Sequence, residues 1–179
     1  IAERLLKTLT PQQIMQLEGR DVPALLTPEE RELFASGHVR FRINVPAIIT
    51  LFRTSADLGE PFWLQERGFT ATGQKFRVGS MRYEAWERRF EAGEVSLGIN
   101  SFTTTYPYFL AVKPAKDGDL VEVTGLFPGR MKLGELRNEA QPVVDRNIRI
   151  SGLPAELDGR ILIRTSRTWS RDAGLLQRF

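Results

Sequence analysis

Beyond Gly37 the sequence alternates with a period of two. In HVRFRINV, residues 38–45, Val39, Phe41, Ile43 and Val45 fall on one side, and His38, Arg40, Arg42 and Asn44 on the other. One apolar and one polar side is the pattern of a strand in a sheet with one wet face. Pro46 interrupts the ladder, and AIITLFR supplies the next strand. FTATG, KFRVG, EVSLGIN, YFLAVK, LVEVTGL, NIRIS and RILIRTS follow. Gly, Pro, Asp and Asn separate them, as in Asp117-Gly118-Asp119 and Leu157-Asp158-Gly159. This series of short strands predicts a mainly β protein, an antiparallel sandwich or barrel, and of the two the β-sandwich is the expectation for residues 38–170. The chain shows no alternation of strand and helix, which argues against a doubly wound fold.

Residues 1–37 read differently and predict an N-terminal helical segment. Ile1, Leu5, Leu6 and Leu9 share one helical face. Thr10-Pro11 reads as an N-cap with proline at the first helical position, opening PQQIMQLE. Thr27-Pro28-Glu29-Glu30 repeats that signal, with Glu30 placed to complete a capping box and Gly37 as the stop. The apolar faces of these helices argue for packing on the sheets. The segment MRYEAWERRF reads as a strand or a single turn, since helical spacing would also join Tyr83, Trp86 and Phe90. Residues 128–145 carry no clean period and read as a long connection with a short strand at 131–133. Residues 171–179 read as a tail or linker.

Composition removes several function classes. The chain has 179 residues, no cysteine and one histidine, His38. Thiolate catalysis, disulfides and sites built on several His ligands therefore cannot occur within it. The net charge of +3 is small against 25 basic and 22 acidic residues, and Arg is spread along the chain beside Glu. A nucleic-acid binder clusters its charge, so nucleic acid is not an expected partner. The longest apolar stretch, residues 45–52, has strand length, far from the roughly 18–20 residues of a membrane-spanning helix. The opening residues lack a signal-peptide pattern and an initiator Met, and read as a processed start or a boundary within a longer protein.

The candidate chemistry is sparse. His38 has neither a Gly-x-Ser-x-Gly elbow nor a proposed partner, and reads as a polar residue opening a strand. Asp117-Gly118-Asp119 lacks the further oxygen ligands of a calcium loop and reads as a turn. LFPGRMKLGEL lacks the Gly-Lys-Ser/Thr ending of a phosphate loop. No catalytic residue, metal ligand or cofactor site is assigned. Among the aromatics, Trp63 in PFWL is expected to pack inward with its indole N–H on a carbonyl, and Trp86 to join the same core. The ligand-binding candidates are Trp169 flanked by Arg167 and Arg171, with Tyr106 and Tyr108. Arg beside an aromatic can hold a phosphate or a sugar acid by paired hydrogen bonds and stacking.

One arrangement is familiar. Val45-Pro46, then PFWLQERGF, then Trp86 ahead of RFEAGEVSLGIN, then YFLAV resembles the fibronectin type III-like sandwich that accompanies calcineurin-like metallophosphoesterases, including purple acid phosphatases. In such fibronectin- or immunoglobulin-like modules a corner like Phe90-Glu91-Ala92-Gly93 turns the chain into an alternating strand, here Val95, Leu97 and Ile99. RILIRTSRTWSRDAGLLQRF resembles a last strand and linker. The metal motifs of that family are missing: there is no Gly-Asn-His and no His-x-His, and Gly118-Asp119 is not followed by the Tyr of Gly-Asp-x-x-Tyr. The resemblance therefore implies a non-catalytic accessory or interaction module of a larger, extracytoplasmic protein, with a downstream or partner domain. Two alternatives remain from the residues themselves. One is a carbohydrate-binding module that presents aromatics to a polysaccharide; the other is a small hydrolase with paired carboxylates.

Overall fold

A computed structural model describes residues 1–54, 60–100, 102 and 106–166. Four short helices come first: α1 (Ala2–Thr8), α2 (Pro11–Gln16), α3 (Val22–Leu25) and α4 (Pro28–Ala35). Both predicted caps form. Thr10 accepts from the Gln13 amide, and Thr27 from the Glu30 amide, each with the return bond of a capping box. The strands are β1 (Val39–Ile43), β2 (Ala47–Thr54), β3 (Thr70–Val78), β4 (Met81–Phe90), β5 (Gly93–Leu97) and β6 (Phe109–Pro114). They continue with β7 (Val123–Phe127), β8 (Lys132–Glu135), β9 (Ile150–Ser151) and β10 (Ile161–Arg164). A further helix, α5 (Phe62–Glu66), lies between β2 and β3.

Two antiparallel sheets result. The smaller has the order β5-β1-β7, and the larger β8-β10-β6-β2-β4-β3-β9. One sheet is curled into an open half-barrel, so the architecture is a sandwich-like α/β mixture and not the closed fibronectin or immunoglobulin sandwich expected. The alternation at residues 39–43 is realised in β1: Val39, Phe41 and Ile43 are buried, while Arg40 and Arg42 face water.

AIITLFRT has no such alternation, because β2 is central in the larger sheet and covered on both faces. Ala47, Ile49 and Leu51 enter the core shared with the small sheet, alongside Val39, Phe41, Val95 and Leu97. Phe52 enters a second core with Tyr83, Ala85, Phe109 and Leu162. Leu136, Ile150 and Leu157, from the connection between β8 and β10, close that second core. Residues 128–145, expected to be a long connection with a short strand at 131–133, do carry a strand there, β8 at Lys132–Glu135, and then begin a third layer. FTATG and KFRVG form one strand, β3. Its register shifts between Ala71 and Lys75, where Gly73 takes φ 78° and accommodates a bulge. MRYEAWERRF is a full ten-residue strand.

The helical segment meets the sheets at one junction. Leu26 and Phe34 pack with Ile99 in a third cluster. The Ile99 amide donates to the Phe34 carbonyl at 2.8 Å. Trp63 is fully buried, and its indole N–H donates to the Ile99 carbonyl at 2.7 Å, the inward placement its sequence context predicted. The Tyr108 hydroxyl donates to the adjacent Gly98 carbonyl at 2.7 Å. Gly98 has no room for a side chain: a Cβ there would lie 2.4 Å from the Phe34 oxygen and 2.5 Å from the Trp63 indole nitrogen. α1 is held to α4 by Arg4 and Glu30, whose carboxylate also accepts from the Thr27 amide. The hydrogen bond from Arg4, with the Thr27 amide, draws the Glu30 carboxyl down from 4.5 to about 2. Packing is partial at this end: α2 buries nothing, and Met15, Leu6 and Leu33 stay exposed.

Gly98→Ala is expected to cost about 2–4 kcal/mol in urea denaturation, since the added methyl group meets backbone and a buried indole. Trp63→Phe removes the donor to a buried carbonyl and is expected to cost about 2–3 kcal/mol. Because the Glu30 pKa is depressed on folding, its stabilisation is complete above 4.5 and disappears as pH falls toward about 2. Amide signals of α1 should shift toward coil values over that interval, and Arg4→Gln should reduce this pH dependence, leaving the part due to the Thr27 amide.

Candidate interaction site

The candidate ligand residues fall in three places. Arg167, Trp169 and Arg171 lie outside the described residues. Tyr108 is a core residue: its ring meets Trp63 edge-on at 6.3 Å, and burial raises its hydroxyl pKa well above the ordinary value. It therefore does not present its ring to a ligand, because the close packing at Gly98 draws it inside. Tyr106 is half-buried, with the Arg146 guanidinium 5.8 Å from its ring centre and the Asn100 amide on its carbonyl. Of the other aromatics weighed for a sugar platform, Trp63, Tyr83 and Trp86 are buried. The Trp86 indole N–H reaches Glu84 at 3.2 Å.

Tyr106 and Arg146 border the point where the chain leaves β10, and that point is clasped. The Thr165 amide donates to the Pro142 carbonyl at 3.1 Å, and the Thr165 carbonyl accepts from the Val144 amide at 2.8 Å. The Thr165 hydroxyl donates to the Tyr108 carbonyl at 2.7 Å, and the Ser166 hydroxyl to Asp145 at 2.6 Å. Val143 and Thr165 form a parallel bridge. Thr165 and Ser166 are both buried. Small hydroxyl residues suit this position: each ties to a neighbouring segment without needing space in the core.

The turn that leads into β10 is locked to the larger sheet by Arg160. This buried guanidinium donates through Nη1 to Thr50 on β2 and to Glu87 on β4, which stand opposite each other in register. Its Nη2 donates to the Glu156 carbonyl at 2.9 Å. Arg164 adds a second tie, donating to the Gln141 carbonyl at 2.7 Å and to its side-chain oxygen at 2.8 Å. Arg160 and Ser166 were not singled out from sequence. Arg160 follows an ordinary Asp-Gly turn, and nothing local marks a cation as buried.

The remaining candidates have structural roles. His38 is buried just ahead of β1, its amide donating to the Leu97 carbonyl at 2.9 Å. Asp117-Gly118-Asp119 makes a turn, with Gly118 at φ 91° and the Asp119 amide on the Lys116 carbonyl. The Glu30, Glu32, Tyr83 and Tyr108 pKa shifts arise at helix joints and in the core. They do not gather in a cleft, where tuned catalytic groups would. Among the described residues, no group of three or more His, Cys, Asp or Glu could hold a metal ion, and no helix is long and apolar enough to cross a membrane. Comparison with family models, curated proteins and solved structures finds no match. Fold and site together define a β-rich module of two antiparallel sheets with a clasped exit strand.

Replacing Arg160 with Ala leaves the Glu87 carboxylate without its cation in a half-buried setting, and should cost about 2–4 kcal/mol. Hydrogen exchange should then rise first in residues 136–157, the layer this guanidinium pins, before it rises in β2 or β4.

Proposed function

We propose that this chain is a non-catalytic accessory or interaction module of a larger, extracytoplasmic protein, flanking a metallophosphoesterase domain whose direction it sets. The observation that carries this reading is the clasp at Thr165 and Ser166. Two segments, residues 142–145 and Tyr108, hold the chain at Thr165 and Ser166, which fixes its direction up to residue 166. A loosely tethered domain needs no such arrangement, because interdomain linkers are ordinarily exposed and polar. The phosphoesterase association rests on the sequence resemblance, whose central strand and corner occupy β4, β5 and the Gly98 junction. A polysaccharide-binding reading receives less support, since the rings it needs are turned inward at Trp63, Trp86 and Tyr108.

The chain's lack of cysteine allows a direct test. Spin labels on Leu120→Cys, in an exposed loop, and on Ser170→Cys should give one narrow distance distribution. Ser166→Ala combined with Asp145→Ala should broaden it while the urea midpoint changes little. A broad distribution in the otherwise unaltered chain would sink the reading. Added polysaccharides should leave the tryptophan emission of Trp63 and Trp86 unchanged.

A further inference from the structure

β3 and β4 carry three cations on one exposed face. Phe76 and Val78 point into the second core, which turns Lys75 and Arg77 to the other side of β3. Arg77 stands directly opposite Arg82 in register, and Lys75 opposite Glu84. Like charges directly across a ladder destabilise it. The neighbouring acid is paired elsewhere: Oε1 of Glu84 accepts from the buried Arg53 at 2.6 Å and from the Trp86 indole at 3.2 Å. Lys75, Arg77 and Arg82 make no ion pair among the described residues. They line a groove of about 260 Å³ together with Phe76, Ser151 and Gly152.

We infer that this groove binds a phosphate monoester group of a small soluble molecule. The three anchor points form a compact triangle. Alternate residues of one strand lie about 7 Å apart, and directly opposed residues about 5 Å apart. Side chains as long as Lys and Arg converge easily from such spacings on one anion. A carboxylate presents two coplanar oxygens, which a single Arg fork satisfies. A tetrahedral dianion presents three, in directions that two guanidiniums and an ammonium on neighbouring strands can meet. Ser151, opposite Arg77 on β9, brings a hydroxyl to the same groove. The groove has room for a single anionic group. Bound phosphate would also relieve the Arg77–Arg82 repulsion, which gives the pairing a reason to exist in an otherwise regular ladder.

Calorimetric titration of the full chain with inorganic phosphate and with pyrophosphate, at low ionic strength, tests this. Both should saturate, pyrophosphate more tightly. Arg77→Gln with Arg82→Gln should weaken binding by about tenfold or more. Lys116→Gln with Lys132→Gln removes equal charge from exposed positions elsewhere and should leave the affinity within about twofold. Arg82→Gln alone should raise the unliganded melting temperature in low salt, and the gain should fade as salt screens the pair. Non-saturating heats in the unaltered chain, or equal weakening in the two double variants, would overturn the assignment. Circular dichroism of each variant establishes that it is folded.

Discussion

The structure hangs on a few atoms at Gly98 and Ile99. Four elements converge there: α4 through the Phe34 carbonyl, α5 through the Trp63 indole, the end of β5, and the approach to β6 through the Tyr108 hydroxyl. Each partner satisfies a backbone group that would otherwise be buried unpaired, at a cost of about 1–3 kcal/mol. The contact is close enough to require glycine through lack of space, without any unusual backbone angle. Once these bonds form, the helical segment is seated at one end of the sandwich. Trp63 and Tyr108, the bulkiest rings available for a ligand, are then taken up by cohesion.

A second consequence follows from the position of β2. Its uninterrupted apolar character only makes sense if both faces of the larger sheet are covered. The small sheet covers one face. The connection from β8 to β10 covers the other, with Leu136, Ile150 and Leu157. That connection is paired to the sheet only through the two residues of β9 against β3. Arg160 adds a second attachment, reaching across its own segment to a threonine and a glutamate paired on adjacent strands. The same layer then provides Pro142, Val144 and Asp145 to the exit clasp.

Much of the local structure was legible. The alternation in β1, the two capping boxes, the Asp-Gly turns and the inward tryptophans follow from spacing and side-chain chemistry, which act over a few residues. The extended character of MRYEAWERRF was ambiguous, because Tyr83, Trp86 and Phe90 fit a helical face as well. Pairing with β2 along eight residues decided for the strand. The closed fibronectin-like sandwich was an overreach. Short strands with turn punctuation define antiparallel sheets, but they do not say how many strands each sheet holds or whether it curls. Tyr108 was misplaced for a similar reason: an aromatic beside Pro107 looks the same whether its ring faces water or a glycine carbonyl.

From the sequence alone came most of the strands and three of the helices, the antiparallel class, the helical lead-in and the exclusion of cysteine and multi-histidine chemistry. These rest on composition and on periodicities of two and 3.6, which a chain carries before it folds. The tertiary structure decided the three-against-seven division of strands and the layer under the larger sheet. It also buried Arg160 and set Arg77 opposite Arg82. Those features depend on which distant segments come together, and a side chain's partner across a ladder is fixed by register, which no local pattern contains.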